Sequence, residues 1–114
     1  MNLSTNERIE LEKLATTIRI GVLEEIKSLG QGHLGGSFSI ADVLAVLYGK
    51  VMNIDPQDPK KEDRDKLVCS KGHAGPAVYA TLAAKGFIPW EELKTLNKPG
   101  TNLPSHCDRL KTNG

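Results

Sequence analysis

The sequence predicts an α/β domain in which several helices surround a parallel sheet. Residues 7–29 carry apolar side chains at steps of three and four, the period of one helical face. The segment KLVCS (66–70) is short and apolar enough for a central strand of a parallel sheet, and a helix is predicted at 75–85 behind it. Because a parallel sheet needs more than one strand, we expect this chain to hold an incomplete domain.

The first helix has clear predicted ends. Ser4 or Asn6 supplies a capping side chain, and Gly30 is a suitable stop. The charged residues outside the apolar face, Glu24 and Glu25 among them, are predicted to form a solvated surface. The glycine-rich segment 30–38 is predicted to be a loop.

The remaining elements alternate between helices and connections. A helix at 39–52 is apolar nearly all round, so we expect it to be buried on more than one side. The charged, proline-containing segment 53–66 is predicted to be an exposed connection. Pro76 and Gly86 suit the ends of the helix at 75–85. A short helix is predicted at 89–97, and an extended loop at 98–114.

Composition restricts the class of protein. The chain has 114 residues, 39% of them hydrophobic, and a formal net charge of +1. This is typical of a soluble globular domain and argues against binding to nucleic acid or to an anionic membrane surface. No apolar run approaches the roughly 20 residues of a membrane span, and no signal peptide is visible. Two cysteines do not make a disulfide framework, so we expect a cytoplasmic location.

All three histidines of the chain lie in predicted loops beside Gly, Pro or Ser. His33 lies in GQGHLGGS (30–37), His73 follows the predicted strand, and His106 lies in LPSHCD. Ligands of α/β sheets bind beyond the carboxyl ends of strands, and a helix start there suits an anionic group. Converging imidazoles could move protons or donate hydrogen bonds to developing oxyanions. The alternative is that each histidine only fills a turn or lies at the surface.

A metal site is a further alternative. Cys69 and His73 are four residues apart, and His106 and Cys107 are adjacent, so two ligand pairs for zinc could face each other. Cys69 is expected to point into the core from a strand, and we therefore assign no metal ligand.

Three motifs in order carry a resemblance to a known family. GHLGGSFSIADVLAVLY, RDKLVCSKGHAGPAVYATLAAKGF and LPSHCDRLKTNG together resemble the N-terminal part of transketolase, most closely the N-terminal subunit of split bacterial and archaeal forms. The resemblance runs from about residue 11 to 114. It implies that residues 1–114 are the opening part of a thiamine diphosphate-binding domain.

The resemblance also implies roles for particular residues. It places His33 in the substrate channel, His73 and Gly72 beside the cofactor diphosphate, and His106 near the first hydroxyl of the donor, as three catalytic histidines. Gly114 is likewise implied to be near the cofactor. One departure stands out, because Cys107 replaces the proline that usually follows the third histidine.

The implied reaction is transfer of a two-carbon ketol unit from a ketose phosphate to an aldose, with thiamine diphosphate and Mg²⁺. The family's Gly-Asp-Gly motif does not occur in these 114 residues, so the Mg²⁺ ligands are expected outside this chain. We therefore expect a complementing C-terminal transketolase subunit, a homo- or hetero-oligomer, and an isolated chain without activity. Two alternatives are a segment of a 1-deoxyxylulose 5-phosphate synthase and a non-catalytic assembly module.

Overall fold

A long first helix organises the chain. The computed structural model describes residues 2–114, and its helical segments are α1 (Thr5–Leu29), α2 (Leu34–Phe38), α3 (Ala41–Val46), a π-helical turn (Leu47–Val51), a 3-10 turn (Gly72–Ala74), α4 (Gly75–Ala84) and a second 3-10 turn (Trp90–Thr95). α1 packs against α3, α4 and the 3-10 turn at Trp90–Thr95. The core of the molecule lies between these elements.

The ends of α1 are set by local chemistry. Ser4 accepts a hydrogen bond from the Glu7 backbone N–H, and the Glu7 side chain accepts one from the Ser4 N–H, which completes a capping box. Gly30 ends the helix in the left-handed region at φ 86°, where a side chain would be strained. Predicted at 7–29, the helix begins two residues earlier.

α1 and α4 approach each other closely. A Cβ at Gly21 would lie 2.8 Å from the Cβ of Ala80, so only glycine fits this helix contact. Ile18 and Val22 are fully buried on the same side of α1. α4 is buried from Gly75 to Ala83, with Pro76 in its first turn where no N–H is required. Small side chains on α4 therefore allow the helix pair to form the centre of the core.

One loop prediction and two helix predictions need correction. Residues 34–38, predicted to belong to a loop, form α2, and the helix predicted at 39–52 begins at Ala41 and changes to a π-helical turn at Leu47. It buries one face only, because Val43 and Val51 are more than half exposed. The helix predicted at 89–97 is a 3-10 turn at Trp90–Thr95.

The predicted strand at 66–70 is wrong for this chain. No strand is present among residues 2–114, and Val68 is 86% exposed. Leu67 and Cys69 are partly buried against the core, so the side chains alternate as in a strand. A strand is defined by its partner, and no partner segment is placed beside this one. The parallel sheet of the predicted fold class is therefore not present in the described part of the chain.

The connection at 53–66 is more ordered than predicted. Asn53 donates its backbone N–H to the Asp65 carboxylate and its side-chain amide to the Asp63 carbonyl, and it accepts from Lys61. The charges here fold the connection around one asparagine. They do more than provide solvation.

One stretch of the chain is longer in apolar character than the sequence analysis predicts. Leu34–Val51 is 18 residues long and, by length and composition alone, apolar enough to cross a membrane. This is weak support for a span, because core helices of globular proteins pass the same test. Here the stretch is divided between α2, α3 and the π-helical turn, and its buried side chains join the core.

Candidate active site

His33 is placed by the end of α1 and the start of α2. The chain leaves α1 at Gly30, and His33 is the extended residue directly before α2, with φ −100° and ψ 106°. Its side chain is exposed. The glycines of this segment thus turn the chain so that the imidazole stands at the end of the α1–α4 pair.

His73 lies in the 3-10 turn that leads into α4. The residue before the turn, Lys71, donates from Nζ to the Ser39 hydroxyl at 2.6 Å. This bond ties the segment in front of α4 to the end of α2. A cation and a helix start are therefore adjacent to the second histidine, an arrangement that favours anions.

His106 is placed by contacts between its loop and α4. The Tyr79 hydroxyl donates to the Pro104 carbonyl, two residues before the histidine. A Cβ at Gly75 would lie 2.7 Å from the Ser105 carbonyl oxygen, and a Cβ at Gly72 would lie 3.0 Å from the His106 ring. Glycine at these two positions permits a close approach of the loop to the start of α4.

The three predicted histidines come together. The ring centroids of His33 and His73 are 4.5 Å apart with the ring planes at 66°, and those of His73 and His106 are 5.2 Å apart at 83°. His73 is thus the central ring of an edge-to-face series. All three rings line one cavity of about 300 Å³, together with Leu29, Gly32, Pro76, Leu96, Asn97 and Ser105. Imidazoles from three separate loops therefore share one solvent-accessible space.

The two predicted glycines differ in position. Gly72 lies directly against the His106 ring. Gly114 packs against Phe87 and Leu82, where a Cβ would approach both side chains within 3 Å, and it does not line the cavity. In this structure Gly114 is therefore away from the three histidines.

Cys107 lies among buried groups although the residue as a whole is exposed. Burial raises the pKa of its thiol, while the Tyr79 hydroxyl beside it acts in the opposite direction. Burial also raises the pKa of Tyr79, so its hydroxyl stays protonated and remains a donor to Pro104. No group of three or more His, Cys, Asp or Glu side chains in residues 2–114 is arranged to hold a metal ion.

Glu25 is a buried acid that the sequence interpretation missed. Predicted to be solvated, it is 0% exposed, and neither carboxylate oxygen has a hydrogen-bond partner among the described residues. Burial raises its pKa to about 10, so the carboxyl is neutral at pH 7. Glu25 lies one helical turn before Leu29, which lines the cavity. The only available signal was its place at the edge of the apolar face of α1.

Asn97 is a second residue that the sequence interpretation missed. It lines the cavity and adopts φ 54°, and it is the only residue other than glycine with a positive φ in the described part of the chain. The run of turn formers in NKPG (97–100) was the available signal.

Comparison with known proteins shows the family of the chain. Residues 11–114 match the family described as transketolase, thiamine diphosphate binding domain. The chain is 56% identical over 110 residues to the 6-deoxy-6-sulfo-D-fructose transketolase subunit SqwG of Clostridium sp. (strain MSTE9), covering 96% of this chain and 40% of that protein. It is 40% identical over 100 residues to one of the apulose-4-phosphate transketolase subunits of Phocaeicola vulgatus, covering 88% and 35%.

Solved structures show the same relationship. The transketolase from Leishmania mexicana superposes with a TM-score of 0.85 at 34% sequence identity, covering 91% of this chain and 16% of that chain. The chain thus spans 40% or less of the relatives named here. The family match covers nearly the whole chain, and the chain belongs to the thiamine diphosphate-binding domain family of transketolases.

Proposed function

We propose that this chain is part of a transketolase that transfers a two-carbon ketol unit from a ketose phosphate to an aldose, using thiamine diphosphate and Mg²⁺. The observation that carries the proposal is the convergence of His33, His73 and His106 on one cavity. The membership of the chain in a thiamine diphosphate-binding family supports it independently.

The residues present fit the diphosphate part of the cofactor. The start of α4, the Lys71 ammonium group and the His73 ring together offer N–H donors and positive charge, the chemistry that a diphosphate requires. Lys71, Gly72 and His73 would hold it there. When bound, thiamine diphosphate supplies the carbanion chemistry that protein side chains lack.

The histidines would perform the proton transfers around the substrate. An imidazole can accept a proton from one hydroxyl and donate it to another near neutral pH. His33 and His106, at the two ends of the ring series, are the proposed groups that contact substrate hydroxyls. Each such group is typically worth about 10²–10⁴-fold in rate.

Two further polypeptide contributions belong to this proposal. The relatives at 56% and 40% identity are named as transketolase subunits, which supports a complementing C-terminal subunit here. The Mg²⁺ ligands and the rest of the cofactor site would come from polypeptide beyond these residues. The active protein is then an oligomer, located in the cytoplasm, and the isolated chain is inactive.

A sulfonated donor is a second candidate substrate. The relative at 56% identity is named for 6-deoxy-6-sulfo-D-fructose, which carries a sulfonate where a ketose phosphate carries a phosphate. Both groups are anionic, and both suit the ketol-transfer proposal. They differ in charge, since a sulfonate carries about one negative charge and a phosphate monoester about 1.5 to 2 at pH 7.

The test measures ketol transfer from ketose phosphate, sulfonated ketose and pyruvate donors by the complete enzyme that contains these residues. We expect transfer from a ketose donor, and expect His106→Ala to lower kcat by about 10²–10⁴-fold. Gln57→Ala, in the exposed 53–66 connection, serves as the control and should leave kcat unchanged. Transfer from pyruvate alone would instead identify a 1-deoxyxylulose 5-phosphate synthase, and no transfer from any donor would favour an assembly module.

A binding experiment tests the role of the isolated chain. We expect calorimetry to detect no Mg²⁺-dependent binding of thiamine diphosphate to the chain alone, and binding to appear in the complete enzyme that contains it. Micromolar binding by the chain alone would contradict the proposed division of the cofactor site.

A further inference from the structure

Asn97 lines the cavity that the three histidines share, and because it is exposed it lies at the rim. It is held in the left-handed region at φ 54°, where asparagine is tolerated but glycine is favoured. If the turn needed only this backbone shape, glycine would serve it at lower cost. The presence of asparagine draws attention to its side chain.

The backbone around Asn97 is firmly held. Its N–H donates to the Leu103 carbonyl at 2.9 Å, which closes the 97–103 loop. The hydroxyls of Thr95, just before that loop, and Thr101, within it, are 2.8 Å apart, and Thr101 accepts from the Leu103 N–H. The hydrogen bonds therefore fix the position of residue 97 without using its side-chain amide.

The neighbouring cations are directed to other partners. Lys98 donates to the Ser28 hydroxyl at 2.9 Å, and Lys94 donates to the Glu91 carboxylate at 3.1 Å. Asn97 is thus the polar residue that the 94–98 segment gives to the cavity lining, and its side chain is a neutral amide. An amide both donates and accepts hydrogen bonds, which matches a sugar hydroxyl better than it matches an anion.

We propose that the Asn97 amide is a specificity-determining group that binds a hydroxyl of the sugar substrate at the rim of the histidine cavity. The inference rests on the proposed function, because it needs a polyhydroxylated substrate in this cavity. The amide holds the part of the sugar away from the reacting carbon. Longer substrates, with more hydroxyls to reach the rim, gain more from it than short ones do.

Three variants, each made in the complete enzyme that contains these residues, separate the amide from the turn. Asn97→Gly keeps the left-handed backbone and removes the amide, whereas Asn97→Ala removes the amide and adds strain. Asn102→Ala is the matched control, since Asn102 is in the same loop, binds Glu92 and does not line the cavity. The substrates are a five-carbon aldose phosphate and the two-carbon glycolaldehyde as acceptors, and a five-carbon alditol phosphate as an unreactive ligand.

We expect Asn97→Gly to lower kcat/KM for the long acceptor by about 3- to 10-fold, the typical value of one neutral hydrogen bond, and to leave glycolaldehyde unchanged. The dissociation constant of the alditol phosphate should rise by a similar factor, with thermal stability unchanged or higher. Asn102→Ala should change none of these quantities.

Equal values for wild type and Asn97→Gly with both acceptors and the alditol would overturn the inference and assign Asn97 to the turn alone. Failure of the proposed function has a different signature. In that case the wild-type assembly transfers no ketol unit and does not bind the alditol phosphate.

Discussion

Two segments approach α4 in very different ways. The 104–106 loop is held against it by the hydrogen bond from the Tyr79 hydroxyl to Pro104. The Ser105 carbonyl also packs closely on Gly75, and the His106 ring packs on Gly72 in the turn before α4. The 66–70 segment leads into the same helix, yet Val68 is 86% exposed and no strand lies beside it in the described residues. The comparison shows that this chain positions its histidines with its own contacts, while its one strand-like segment lacks the neighbours that would make it a strand.

The largest expected effect comes from Glu25, which is fully buried in the core. We expect Glu25→Gln to raise the free energy of unfolding at pH 7 by up to about 3 kcal/mol. The pKa of Glu25 is raised from 4.5 to about 10 on folding, so wild-type stability is full below the unfolded pKa and is lost progressively as the pH rises toward the folded pKa. Denaturant unfolding between pH 4 and pH 9 measures this slope.

The adjacent residue, Glu24, provides the control for this experiment. Tyr79 and Cys107 are the titratable groups whose pKa values respond to Glu25, and both remain in the variant. Glu24→Gln, which alters the acceptor of the Trp90 indole N–H, should leave the pH slope in place. A slope that survives in Glu25→Gln would show that the buried carboxyl is not its source.

The next prediction tests the contact between the 104–106 loop and the start of α4. Gly75→Ala places a Cβ 2.7 Å from the Ser105 carbonyl, so the loop must move, at a cost of about 1–3 kcal/mol. We expect lower thermal stability, a shifted His106 ring resonance by NMR, and a large loss of activity in the assembled enzyme, since small misplacements can cost about 10²-fold.

Gly35→Ala in α2 is the matched control, because nothing lies within 4 Å of a Cβ built at Gly35. It should be neutral or stabilise by up to about 1 kcal/mol. If Gly75→Ala behaves like Gly35→Ala, the loop is held more loosely than the contacts indicate.

A smaller effect is expected from removing one hydrogen bond of the loop. Tyr79→Phe deletes the donor to Pro104 and should cost about 0.5–1.5 kcal/mol of stability, seen as a lower thermal midpoint. The reduced hold on the loop should broaden the His106 resonance while leaving that of His33 unchanged. Identical midpoints for the two proteins would mean that the Gly75 contact fixes the loop without help.

The smallest effect is expected in the exposed 66–70 segment. Val68→Ala should change stability by less than about 0.5 kcal/mol, whereas the same substitution at the fully buried Val22 should cost about 1–3 kcal/mol. Repeating both measurements in the complete enzyme that contains these residues sharpens the comparison. If another segment covers Val68 in the assembly, the cost of Val68→Ala should rise toward that of Val22→Ala.

Sequence reasoning is informative here where structure depends on nearby residues. The apolar period of α1, its Ser4 cap and its Gly30 end are all local, and the structure contains each of them. The grouping of the histidines could be anticipated only from their shared loop setting and from the family motifs. Their ring separations depend on long-range packing that periodicity does not encode.

Sequence reasoning fails where the structure depends on residues that are distant in the chain or on backbone angles that residue type does not determine. The strand at 66–70 depends on hydrogen bonds to a partner strand, which no property of KLVCS can supply. An amphipathic helical pattern predicts burial from residue type. A glutamate at the edge of the apolar face, such as Glu25, is therefore predicted to be solvated. Asn97 lies in a run of turn formers, where the sign of φ is not visible in the sequence.

The length of α1 has a practical consequence. At 1.5 Å per residue its 25 residues extend about 37 Å, nearly the 42 Å longest dimension of the molecule. A fluorophore attached at the exposed Thr5 would therefore be carried on a rigid rod, far from the imidazoles at the other end. Energy transfer from that dye to one on a second polypeptide would report docking without disturbing the cavity.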